Sequence, residues 1–223
     1  MTNVSIDDSS ASRKRAVALH QAGEIQRAAD MYEALLQVGT ARADILGLLS
    51  VAQLQLGKRK EALVSWRNSL LAEKAIPRRL RNIANFLLAM LQLDEAQSLQ
   101  RKNETPNTDF LDGVDIPVWP KDLPIERDDQ AIILALAGCL VKLDRNEAGL
   151  RLLDSGFAQL SGDPDFVAAA VSIMLDAGSA GKALSLLRPL TSAAHQDNAA
   201  LFIAHAAAAL ASGRKEEARA LSL

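Results

Sequence analysis

Small residues return along this chain at a fixed stride. Ala28, Ala62 and Ala96 stand 34 residues apart, and after one longer step of 52 the series resumes at Ala148, Ala183 and Ala218 with gaps of 35. Four of these alanines follow a glycine by five residues, the glycines being Gly23, Gly57, Gly178 and Gly213. Glycine reaches the left-handed backbone that ends one helix, and the alanine lets the next helix press closely on its partner. A period near 34 predicts stacked helical hairpins, in which each hairpin buries its apolar side only against its neighbours. With 49% hydrophobic but only 4% aromatic residues, and many Ala and Leu, the chain reads as all-α.

These residues resemble the tetratricopeptide repeat family, whose unit is a helix-turn-helix of this length. The family's aromatic in the second helix matches Tyr32 and Trp66, with Leu152 and Leu187 in its place later; its small residue in the first helix matches Ala16, Ser50, Ala84 and Ala206, while Leu136 and Val171 depart from it. Repeats three and four have Leu91 and Leu143 where the turn glycine belongs. The resemblance implies a right-handed solenoid of about six repeats in two three-repeat lobes. The expected division is a disordered N-terminus at 1–8, a first lobe at 9–102, a connector at 103–130 and a second lobe at 131–223 whose last repeat is incomplete.

The connector accounts for the long step in the alanine series. Pro106, Pro117, Pro120 and Pro124 forbid a continuous helix there. Phe110, Leu111, Ile116, Val118, Trp119, Leu123 and Ile125 are too apolar for a solvated tether. Part of this segment is therefore expected to pack on a repeat. In one reading Trp119 covers the exposed end of the third repeat; in the other it lies in a groove as a built-in ligand that a partner displaces. Helix starts are marked at Pro77, at Asp128 or Asp129, at Asp163-Pro164 and at Asp197 or Asn198.

Charge argues against several function classes. The net charge is −2, spread as +5 over residues 1–102, −6 over 103–130 and −1 over the remainder. No clustered basic and aromatic motif of a nucleic-acid binder is present. There is no apolar run long enough to cross a membrane and no basic-then-apolar leader, so a cytoplasmic location is expected. The single Cys139 lies in an apolar run and reads as an inert core thiol. No nucleophile elbow, phosphate-binding glycine loop, dinucleotide turn or paired-histidine metal motif occurs. His20, His195 and His205 are too far apart in sequence for a metal cluster and read as surface or groove residues. No catalytic, cofactor or metal residue is expected, and the chain reads as a non-enzyme.

Function is therefore expected on the helix faces. The resemblance places the first helix of each repeat on the concave surface, with Arg78, Arg81, Asn82 and Asn85 facing it in repeat three. Such side chains hold an extended peptide through its carbonyls and carboxylates. In the second lobe it places Ile133, Leu134, Ala137 and Leu140 from repeat four, Ala168, Ala169 and Ser172 from repeat five, and Ile203, Ala204 and Ala207 from repeat six along an apolar trough, unless the register is slightly off and these residues are core. Such a trough suits an amphipathic helix. Trp119 completes the candidate set. The expected function is a protein-interaction module with protein partners and no nucleic acid or membrane. Its expected setting is the substrate-recruiting part of a larger bacterial enzyme, a flagellin-modifying glycosyltransferase being the model. A free-standing adaptor or secretion chaperone is one alternative. A scaffold that dimerises through its open last repeat is the other.

Overall fold

The computed structural model describes residues 6–39, 42–98, 108–193 and 198–221. Among them the only regular structure is helical, apart from turns and extended connections. The chain forms two compact units, Met1–Val114 and Asp115–Leu223. The first holds α1 (Ile6–Gln21), α2 (Ile25–Gln37), α3 (Arg42–Gln55), α4 (Arg59–Ala72) and α5 (Ile76–Ser98). The second holds α6 (Arg127–Lys142), α7 (Asn146–Leu160), α8 (Pro164–Asp176), α9 (Ala180–Ala193), α10 (Ala199–Ala211) and α11 (Lys215–Ala220). Within each unit successive helices pair, and alternate helices also touch: α3 with α5, α6 with α8, and α8 with α10. Of the stretch expected to be disordered, Ile6–Asp8 belongs to α1, and residues 1–5 lie outside the described residues.

Five turns share one geometry, and it explains the alanine ladder. The residue after each left-handed position donates its N–H to the carbonyl five residues back: Glu24 to Leu19, Lys58 to Gln53, Arg145 to Leu140, Ser179 to Met174 and Arg214 to Ala209, all at 2.8–2.9 Å. This bond needs positive φ at the preceding position. Gly23, Gly57, Gly178 and Gly213 supply it, and in the fourth case Asp144 does, at φ +58°. Aspartate tolerates this region better than most residues with a Cβ.

The turn at Asp144 shifts the fourth repeat by one residue from the expected register. The sequence pattern puts the turn at Leu143 and the close-packed small residue at Ala148. Gly149 holds that place instead, while Ala148 is partly exposed. A Cβ built on Gly149 would meet the Ala137 carbonyl oxygen at 3.0 Å and Val141 Cγ2 at 3.1 Å, so α6 and α7 approach more closely than an alanine permits. The shift also makes Ala137, seven residues before the turn, the small first-helix residue that Leu136 seemed to have replaced. Ala28, Ala62, Ala183 and Ala218 are buried as the ladder requires, and the Ala96 side chain lies outside the described residues.

Repeat three differs from the template in kind. No turn interrupts the chain at Leu91, and α5 runs on as one helix of 23 residues. With no Gly or Pro between Leu80 and Ser98, nothing stops it. Phe110 and Leu111, in a short 3₁₀ turn at Asp109–Leu111, are buried on the first unit. The Phe110 ring meets Trp66 of α4 edge-on at 6.1 Å and Phe86 of α5 at 6.3 Å, while Trp66 and Phe86 stack at 4.5 Å. Arg67 Nη2 donates to the Phe110 carbonyl at 3.3 Å.

The other half of the connector belongs to the second unit. Trp119 is 2% exposed, and its indole N–H donates to Leu123 O at 2.9 Å. Ser155 Oγ of α7 accepts from the Trp119 backbone N–H at 3.1 Å. Gln159 of α7 donates to Leu123 O and accepts from Ile125 N. The two apolar stretches of the connector thus serve different units. Beyond them, Asp129 Oδ2 accepts from the Glu126 N–H at 3.2 Å, so Glu126 is the cap of α6 and Asp129 sits one turn inside, where Asp128 or Asp129 was expected to cap. Asp163 caps α8 ahead of Pro164, and Asn198 caps α10.

Candidate partner-binding surfaces

A helix turns by about 100° per residue, so the one-residue shift at Asp144 changes which side of α6 meets solvent. Ile133, Ala137 and Leu140 are fully buried and belong to the core, the alternative to their lining a trough. Along the shifted phase of α6, Leu134, Ala135, Gly138 and Val141 are half-exposed, with Ala131 and Lys142 exposed at the two ends. Only Leu134 of this set stood among the expected residues. The turn residue Asp144 is the signal that would have found the others.

On α8 and α10 the expected residues do face outward. Ala168 and Ala204 are half-buried, Ala169 is exposed, and Ile203 is 70% exposed. The stripe on α8 runs Asp165, Ala169, Ser172, Asp176, and that on α10 runs Ala200, Ile203, Ala207, Leu210. These spacings of three and four keep each set on one side of its helix. Across the middle of α6, α8 and α10 this surface carries no charge.

The first unit presents a different surface. Arg78, Arg81 and Asn85 are exposed on α5. Asn82 is turned inward: its Oδ1 would lie 3.1 Å from a Cβ on Gly47 of α3, so its amide fills the space left by that glycine and does not face outward with the others. Arg13 Nη2 is paired with Asp44 at 3.1 Å, tying α1 to α3. His20 contacts Tyr32 OH at 3.3 Å and Gln55 Oε1 at 2.9 Å. Burial pushes the Tyr32 hydroxyl up to about 12, against a smaller opposing effect of Arg13.

Trp119 cannot meet a partner while its ring is enclosed and its N–H is used by Leu123. Within its own unit it is held on α7, through Ser155. Cys139 is buried, which pushes its thiol pKa up and suits an inert core residue.

One titratable cluster lies outside the expected set. Glu217 of α11 takes two hydrogen bonds from Arg188 of α9, at 3.0 and 2.9 Å. His205 Nε2 lies 3.2 Å from Glu217 Oε1, and His205 Nδ1 lies 2.8 Å from Thr191 Oγ1. The Arg188 hydrogen bonds lead in holding the Glu217 carboxyl down near 2, with His205 adding to them and desolvation opposing. His205 is buried, not the surface or groove histidine expected, and His195 lies outside the described residues. The cluster ties α9, α10 and α11 together.

Among the described residues no group of three His, Cys, Asp or Glu side chains is placed to hold a metal ion. No described helix is long and apolar enough to cross a membrane. No family model matches the chain, and no curated protein matches it. Among solved structures it is similar to a tetratricopeptide repeat protein from Parabacteroides merdae, with 14% identity over 98% of this chain and 77% of that one and a TM-score of 0.39. It is also similar to the assembly chaperone of RpL4, Acl4 (residues 1–338), with 12% identity over 95% of this chain and 99% of that one and a TM-score of 0.31. Both superpositions are loose, and the helical description rests on the turns and pairings given above.

Proposed function

We propose that this chain is a protein-binding scaffold, and that its second unit docks a partner on the outer face of α6, α8 and α10. The observation that carries this reading is the uncharged face shared by three adjacent helices, on which Ile203 stands 70% exposed. Burying an aliphatic side chain of that size contributes about 1.5–3 kcal/mol, so a few such contacts offset the cost of ordering a partner helix. The basic and amide side chains Arg78, Arg81 and Asn85 of α5 suit an extended, acidic peptide instead. Either surface would serve a free-standing adaptor or the recruiting part of a larger enzyme, and no residue favours a transferase.

Affinity capture with purified chain separates the two surfaces. Ala168→Glu with Ala204→Glu places charge in the second unit's face, and Arg81→Ala with Asn85→Ala strips the first unit's. Loss of capture with the first pair alone is the expected result. Loss with the second pair alone would move the site to α5, and retention by both would refute docking on either face. Sedimentation of the purified chain covers the self-association reading, which predicts a dimer.

A further inference from the structure

The composition of α10 poses a problem that a free surface does not solve. From Ala199 to Ala211 it contains no charged residue, and its one imidazole, His205, is buried. A helix apolar on every side is ordinarily enclosed on every side. Here Leu201, His205, Ala208 and Ala209 face the core, while Ile203 and Leu210, one spacing of seven apart, are 70% and 59% exposed.

The charges bordering this face specify what covers it. The adjacent helix α8 carries Asp165 and Asp176 at the two ends of its exposed stripe, with Ala169 and Ser172 between them. Neither carboxylate has an ion pair or side-chain hydrogen bond among the described residues. They are eleven residues apart, which is about 16 Å along a helix. No described base is paired with either of them: Lys182, the next base along the chain, is bound to Asp154 at 2.6 Å. Arg214, beyond the C-terminal end of α10, reaches to Glu217 at 3.7 Å, and Arg127 and Lys142 stand at the two ends of α6, the neighbour of α8 away from α10.

We propose that the exposed face of α8 and α10 takes an amphipathic helix of a protein partner that carries a basic residue at each end of a three-turn apolar stripe. This rests on the docking reading above and adds the partner's charge pattern. The apolar stripe covers Ile203 and Leu210, and the two bases meet Asp165 and Asp176. A second copy of the chain fits less well. Neither α8 nor α10 contains a Lys or Arg, so the same face of a second copy has no base to meet Asp165 and Asp176.

The test uses the full 223-residue chain and two synthetic helical peptides with the same leucine stripe, one with lysine and the other with glutamate at both ends. Calorimetry at low and moderate salt should show the lysine peptide binding at least about tenfold more tightly. The preference should shrink with salt, vanish in Asp165→Asn with Asp176→Asn, and binding should be lost in Ile203→Glu. Equal affinity for the two peptides, or binding untouched by Ile203→Glu, would overturn the proposal. So would a dimer in sedimentation that Ile203→Glu dissolves, which would make the occupant a second copy. If neither peptide binds while Ile203→Glu still abolishes capture of natural partners, the basic-helix chemistry fails and the docking face survives.

Discussion

Gly156→Ala tests the closeness of α7 and α8. A Cβ built on Gly156 would lie 2.7 Å from Phe166 Cζ, whereas carbon atoms are at their optimum near 3.5–4.0 Å. The ring cannot swing freely, because Phe166 is buried and packs edge-on against Phe157 at 5.5 Å. The overlap therefore falls on α8 as a whole, and such overpacking costs about 1–3 kcal/mol. Replacing a helical glycine by alanine returns about 1 kcal/mol through propensity, leaving a net loss of roughly 0–2 kcal/mol centred near 1. Gly181→Ala is the control: that site is helical, has open space around it and no positive φ, so a gain of about 0.4–1 kcal/mol is expected. The protein's two tryptophans fall one in each unit. In a Trp66→Phe background, urea unfolding followed by Trp119 fluorescence then reports on the second unit. If Gly156→Ala stabilises that unit as much as Gly181→Ala does, the close approach of α7 and α8 is refuted.

Phe110→Ala removes the edge of the aromatic trio and should cost about 3 kcal/mol, seen by Trp66 fluorescence in the first unit and not by Trp119; equal loss in both units would contradict the division of the connector. Glu217 has its folded pKa lowered to about 2 from an ordinary 4.5, so its contribution is present above pH 4.5 and is lost as pH falls towards 2. Hydrogen-exchange protection of α11, taken relative to the intrinsic rate at each pH, should fall over that window in the native protein and change little there in Glu217→Gln. Tyr32 is the sole tyrosine, so its absorbance titration is unambiguous, and a midpoint near 12 is expected; a midpoint near 10 in the folded protein would place its hydroxyl in water.

Much of the fold could be read from residues that have few substitutes. Left-handed turns call for glycine, and close helix contacts call for small side chains, so Gly23 with Ala28 and Gly178 with Ala183 announce their hairpins directly. The fourth hairpin concealed itself because Asp144 and Gly149 meet the same two demands with other residues, and Ala148, one place before Gly149, matched the template by accident. In repeat three the periodic Ala96 suggested a hairpin, but a turn needs a helix stop and Leu80–Ser98 offers none. The surface was less legible than the fold because exposure depends on helix phase. One residue of slip carried Ile133 and Ala137 into the core while leaving Ala169 and Ile203 outside. Nothing in the local sequence marks His205 as buried, since its partners Thr191 and Glu217 come from two other helices. The connector was expected to pack on a repeat, but the seat of Trp119 on α7 depends on Ser155, and that of its neighbours on Gln159, which no motif singles out.

The central claim is that partners dock on the outer face of the second unit. Its most direct measurement is partner capture by Ile203→Glu set beside Leu71→Glu, which places the same acid at a site 83% exposed on α4 of the first unit. The account predicts that Ile203→Glu loses capture while Leu71→Glu retains it and both variants keep the native unfolding midpoint. Capture that survives Ile203→Glu and fails with Leu71→Glu would contradict it.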